Sequence, residues 1–173
     1  MIETYPFEPF VPQSAKYLIL GSFIALKKPE DTFYDWYYSS KRNQFWKIIE
    51  KVYDVHLPDK KSKQKLCSEL KIAVSDIICQ CERKEKNSLD TSLTNCIYNT
   101  SVLAKLLREN PFEKIFFTSR FVEKEFKKHF RKLISKYPKI ELITLPSPSP
   151  RYAKLSLEEK VRIFSKVLSR RKI

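Results

Sequence analysis

Four short apolar runs, separated by helix-forming segments, set the tightest limit on what this chain can fold into. They are Tyr17-Leu18-Ile19-Leu20, stopped by Gly21, then Ile72 to Cys79, Lys114 to Thr118 and Ile140 to Leu145. Each is apolar at consecutive positions rather than alternate ones, which marks a strand buried on both faces. Between them lie helical segments: Asn43 to Tyr53, a short one near Leu66–Leu70, Thr100 to Asn110 ended by Pro111, and a long one N-capped by Ser119. The long one places Val122, Phe126, Phe130, Leu133 and Tyr137 on one face. A last helix opens with a capping box, Ser156 with Glu159, ahead of Leu157, Val161, Phe164 and Leu168. Strands alternating with helices predict an α/β fold: a three-layer α/β/α sandwich around a central four-stranded, mainly parallel sheet. Residues 1–173 make one domain, with residues 1–14 (Pro6, Pro9, Pro12) as an extended arm. Residues 60–65 read as a charged turn, 80–90 as a polar loop and 22–42 as a long aromatic loop.

Composition removes several functions. Hydrophobic residues make up 42%, with 12 Phe, 9 Tyr and 2 Trp, so the chain can bury a core. The single glycine excludes a Gly-rich dinucleotide fingerprint and a P-loop. No apolar run is long enough to span a membrane, and Met1-Ile2-Glu3-Thr4-Tyr5 does not read as a secretory signal. Cys67, Cys79, Cys81 and Cys96 lack the paired C-x-x-C spacing of a metal site and read as reduced thiols of a cytoplasmic protein; no metal is expected. The net charge of +14 is lopsided: nineteen Lys and Arg against seven Asp and Glu give +12 over residues 101–173. The partner that such charge suits is a polyanion, nucleic acid before anionic membrane, and the competing reading is a set of solvated helix faces.

In α/β folds ligands bind beyond the carboxyl ends of the strands. The segments there are Gly21-Ser22-Phe23, Cys79 to Arg83, Thr118-Ser119 and Pro146 to Ser149. Three blocks on these elements carry a resemblance. The first is Leu18-Ile19-Leu20-Gly21-Ser22-Phe23 followed by Tyr37-Tyr38-Ser39-Ser40-Lys41-Arg42-Asn43-Gln44-Phe45-Trp46. The second is Ser75-Asp76-Ile77-Ile78 followed by Asn87-Ser88-Leu89-Asp90, and the third is Leu145-Pro146-Ser147-Pro148-Ser149-Pro150. In this order they resemble the uracil-DNA glycosylase superfamily, closest to its hypoxanthine-DNA glycosylase branch, over roughly residues 10–170.

The resemblance implies a monofunctional enzyme of base excision repair. It would flip a deaminated base, hypoxanthine or uracil, out of DNA and hydrolyse its N-glycosidic bond. It implies Asn43 and Ser22 as catalytic residues, because an amide can orient water and donate to a departing base without titrating. Gly21, Phe23, Tyr38 and Tyr37 would bind the base, Tyr38 by stacking. Ser147 and Ser149 would grip the DNA backbone, and Arg151 and Tyr152 would fill the gap left by the flipped base. Lesion-containing DNA is the expected partner of a cytoplasmic monomer that needs no cofactor and no membrane.

Other readings of the same residues stay open. Asn43 is also a good helix cap, one of Tyr37 and Tyr38 is expected to be packed, and Asp76 and Asp90 read as loop anchors. The family usually has Pro where Ile24 and Lys41 stand, and Thr118-Ser119 replaces a common Asn-Gly. Those changes leave base preference open, and with it two rival functions: a diverged DNA-binding protein without chemistry, and a small-molecule or nucleotide hydrolase.

Overall fold

The central strands are short and apolar on both faces because helices cover both. The computed structural model describes residues 1–24 and 36–168. Along the chain these form β1 (Ile2–Thr4), β2 (Tyr17–Gly21), α1 (Phe45–Tyr53), α2 (Lys60–Glu69), β3 (Ile72–Asp76), β4 (Ile78–Arg83), β5 (Leu93–Tyr98), α3 (Thr100–Glu109), β6 (Lys114–Phe117), α4 (Arg120–His129), α5 (Arg131–Ile134), β7 (Glu141–Thr144) and α6 (Leu157–Val167). Four strands pair in parallel in the order β3-β2-β6-β7. Successive side chains point to opposite faces. Leu18 and Leu20 therefore meet Leu103, Leu106 and Leu107 of α3 and Val122 and Phe126 of α4. Ile19 faces the other way, into a core with Ile48 and Ile49 of α1, Leu66 of α2 and Phe164 of α6. This is the expected three-layer α/β/α sandwich.

The registers bring the strand ends level. Gly21 stands opposite Asp76, Leu20 opposite Phe117, and Phe117 opposite Thr144, so all four carboxyl ends reach one edge of the sheet. The chain order reverses beside β2, which has β3 on one side and β6 on the other. A crevice at this edge is the place such a topology reserves for a ligand.

Several segments differ from the sequence expectation. The run from Ile72 to Cys79 is two strands. Ile77 donates its N–H to Gly21 O, closing β3's edge of the sheet, and the chain then leaves it. From Ile78 it enters a separate antiparallel sheet, β1-β4-β5, whose register shifts at two bulges. Part of the expected polar loop is thus β4. The N-terminal arm contributes β1 to that sheet, and Phe10 bonds both ways to Val74, covering the free edge of β3. The expected charged turn at 60–65 is the start of α2: Asp59 accepts from the Ser62 N–H in a capping box, and Lys is a good helix former. The expected long helix breaks at Phe130, which is fully buried and stacked on Phe126. The part of the aromatic loop at residues 25–35, with its Ala25-Leu26-Lys27-Lys28, and the tail at 169–173 lie outside the described residues. No described helix is long and apolar enough to cross a membrane.

Candidate active site

A cavity of about 170 Å³ opens at the carboxyl edge of the parallel sheet. Every strand of that sheet sends chain to it: Ser22 to Ile24 after β2, Asp76 at the end of β3, Thr118 and Ser119 after β6, and Ser147 to Arg151 after β7. Tyr5 of the arm, Tyr37 to Asn43 ahead of α1, and Ser88 and Asp90 after β4 complete it. Drug-sized ligands need roughly 300–1,000 Å³, so this space suits a group about as large as one base.

The floor is acidic, formed by Asp76 and Asp90. Asp76 is 4% exposed, and its Oδ1 has no hydrogen-bond partner among the described residues. Burial pushes its carboxyl up to about 7, helped by the Asp90 charge and opposed by hydrogen bonds from the Tyr5 hydroxyl and the Gly21 backbone. Burial likewise raises Asp90, against the hydrogen bond it accepts from the Ser22 hydroxyl at 2.6 Å. Gly21 is required by proximity. A Cβ there would collide with Asp76 Oδ1 and stand 2.6 Å from the Tyr38 hydroxyl. What closes on that bare backbone is therefore a pair of side chains of the protein itself.

Aromatic rings form the walls. Tyr38 lines the cavity from a left-handed backbone, φ 56°, which costs a bulky L-residue about 1–2 kcal/mol. Packing supports that conformation: its ring lies 4.3 Å from that of Phe45. Tyr37 is the packed member of the pair, 2% exposed. Its hydroxyl donates to Glu8 O, and its own carbonyl accepts from Trp46 Nε1. It is nonetheless part of the cavity lining. Phe23 is buried against Tyr5, ring centroids 5.5 Å apart, and under the Arg83 guanidinium. Arg83 also bonds Glu3, Asn87 O and Ile24 O, which holds this rim in place.

Asn43 lies just ahead of α1, whose N-cap is Gln44, and still satisfies a backbone donor of that helix. Its Oδ1 accepts the Phe45 N–H at 2.8 Å at the start of α1, while the residue lines the cavity. Among the described residues that oxygen keeps one lone pair, and the amide NH2 keeps its donors. Across the cavity the loop after β7 is wound into two successive turns: Ser147 Oγ accepts the Ser149 N–H, and Ser149 Oγ accepts the Arg151 N–H. Gln44 N–H donates to Pro148 O, tying this loop to α1.

The cavity thus gathers Ser22, Phe23, Tyr37, Tyr38, Asn43, Ser147, Ser149 and Arg151. Gly21 sits behind its floor. Tyr152 is outside the lining, with its ring 5.5 Å from the Lys160 ammonium. The cations of the lining are Arg42 and Arg151; α4 carries its lysines away from the cavity, since its N-cap, Ser119, is the end that lines it. Sequence reasoning missed Tyr5 and underrated Asp76, although an Asp inside the apolar run Val74 to Ile78 is itself a sign of burial. Among the described residues no three His, Cys, Asp or Glu side chains gather as metal ligands would.

No protein-family model matches this chain, and no curated relative matches it. Solved structures do. One is the solution NMR structure from Methanosarcina acetivorans described as a "putative Uracil DNA glycosylase", with a TM-score of 0.64 and 20% sequence identity, covering 96% of this chain and 98% of that one. At that identity the likeness is one of fold: this chain has a uracil-DNA-glycosylase-like α/β/α architecture over almost its whole length.

Proposed function

We propose that this chain is a monofunctional DNA glycosylase. It acts on a deaminated base, hypoxanthine or uracil, as a cytoplasmic monomer in base excision repair, with neither metal nor cofactor. One observation carries the reading: the sequence blocks that resemble the glycosylase superfamily, far apart in the chain, line a single base-sized cavity at the ligand edge of a glycosylase-like fold.

In this reading DNA lies across the cavity mouth. The Ser147 and Ser149 loop and Arg151 contact the backbone, with Arg151 and Tyr152 filling the vacated stack. The flipped base enters between Tyr38 and Phe23; base–aromatic stacking is worth roughly 1–3 kcal/mol. The Asn43 NH2 donates to a carbonyl of the departing base, where negative charge grows as the bond to the sugar lengthens. The remaining Asn43 lone pair orients the attacking water. Ser22 holds Asp90 at the cavity wall, and Asp76 closes the floor beneath the base. The test is incubation with oligonucleotides carrying one hypoxanthine, uracil or xanthine, followed by alkali. Strand breaks at the lesion support the reading, and intact strands with all three sink it.

A second reading, a glycosylase-fold DNA-binding protein without chemistry, is favoured by a specific observation. The Ser22 hydroxyl and the Asn43 oxygen, the two atoms best placed to act, already hold structural hydrogen bonds. It is distinguished by salt-dependent DNA binding without base release.

A further inference from the structure

Lys160 is a buried cation that the proposed chemistry does not use. It lies on the apolar side of α6 between Leu157 and Phe164 and is 1% exposed. Among the described residues no carboxylate pairs with it. Its ammonium instead donates to Gln44 Oε1 at 2.9 Å and to Ser149 O at 3.1 Å, and stands 5.5 Å from the Tyr152 ring centroid. Each contact belongs to the margin of the cavity. Gln44 is the N-cap of α1 and follows Asn43, while Ser149 and Tyr152 belong to the loop across the mouth.

Burying an ammonium without a counter-ion is costly, and burial lowers the Lys160 pKa. A methionine would fill the same space without that cost, so global stability does not explain a lysine here. What a lysine supplies is donors reaching in several directions from one point, to two segments more than a hundred residues apart in sequence. The link is reinforced by the Gln44 N–H to Pro148 O bond and, within the loop, by the Tyr152 N–H to Ser149 O bond. The α6 face that carries Lys160 is itself fixed by Phe164 against Phe45.

We propose that Lys160 is a positioning residue: it ties the loop at 147–152 to the N-terminus of α1, and so sets the spacing between Asn43 on one side of the cavity and the serine turns on the other. This assignment rests on the glycosylase reading only for its consequence on DNA; the tie itself is a property of the free protein.

The experiment is amide hydrogen exchange on the DNA-free protein, with urea midpoints measured beside it, for wild type, Lys160→Met and Gln44→Met. Gln44→Met cuts the same tie from a half-buried position, so the proposal stays testable if Lys160→Met does not fold. In either variant the Tyr152 amide should exchange at least tenfold faster than in wild type, and in Lys160→Met the Gln44 amide should do so too. Leu18 and Leu20 in β2 should keep their protection. The urea midpoint of Lys160→Met should be equal to or higher than that of wild type, which a purely structural lysine would not allow. Unchanged exchange at Tyr152 in a folded variant, or loosening that spreads equally to β2, overturns the proposal. On lesion DNA, Lys160→Met should lower kcat/KM at least tenfold, chiefly through KM. If wild type releases no base, the functional reading fails while the exchange result still decides the role of Lys160.

Discussion

Replacing Asp76 by Asn isolates the energetic cost of the acidic cavity floor. The Asp76 carboxyl, ordinarily near 3.8, is held at about 7 in the fold by burial first and by Asp90 second. The folded protein therefore keeps a proton on Asp76 over a range where the unfolded chain has lost it. Stability falls as pH rises through that range, and the loss is complete above about pH 7. At about 1.4 kcal/mol per pH unit, the span from 3.8 to about 7 comes to roughly 4 kcal/mol, a large share of the 5–15 kcal/mol that holds a domain together. Asn keeps the acceptor for the Tyr5 hydroxyl and cannot ionise. The groups that face Asp76 (Tyr5, Tyr37, Tyr38 and Asp90) stay in place, so any slope that remains belongs to Asp90 and the other acids. Urea unfolding followed by fluorescence of the buried Trp36 and Trp46 between pH 4 and 8.5 reads the effect directly. Near pH 4 the two proteins should be about equally stable. At pH 8 the Asn variant should be more stable by a few kcal/mol. Parallel pH profiles, or an Asn variant weaker than wild type at pH 8, would refute the reasoning.

Other perturbations test neighbouring parts of the account. Gly21→Ala places a Cβ against Asp76 and Tyr38; urea midpoints should show a loss of about 1–3 kcal/mol. Asn43→Ala removes the bond to the Phe45 N–H, and should lose about 1 kcal/mol of stability and at least about 100-fold in single-turnover base release. Asn43→Asp keeps that bond but not the NH2, so it should hold its stability and still lose turnover. Arg151→Ala should lower the log–log salt slope of DNA affinity by about one, as filter binding at several salt concentrations can measure.

The parallel sheet was legible because β2, β3 and β6 are buried on both faces, as strands between helix layers are, while the edge strand β7 carries the weaker pattern Glu141-Leu142-Ile143-Thr144. The antiparallel sheet was not. β4 and β5 are mostly half-buried, interrupted by bulges and joined through a long connection rather than a tight turn, so neither periodicity nor turn residues mark them. α2 hid for a related reason: its sequence is largely lysine, serine and glutamine, and its start rests on a local cap. In the site, the resemblance pointed to aromatic and amide residues that line one cavity, yet the two carboxyls read only as loop anchors. Only the strand register, which sets Asp76 against Gly21, makes the first of them a buried floor. Lys160 left a fainter trace, a cation set among Leu157, Val161 and Phe164 in an otherwise apolar helix face.

The most direct test of the central claim is chromatographic detection of free base released from duplex and single-stranded oligonucleotides with a single hypoxanthine or uracil, under single turnover. The expected result is time-dependent release of the lesion base by wild type, lost in Asn43→Asp, with normal bases untouched. DNA that is bound but fully intact after long incubation with wild type would contradict it.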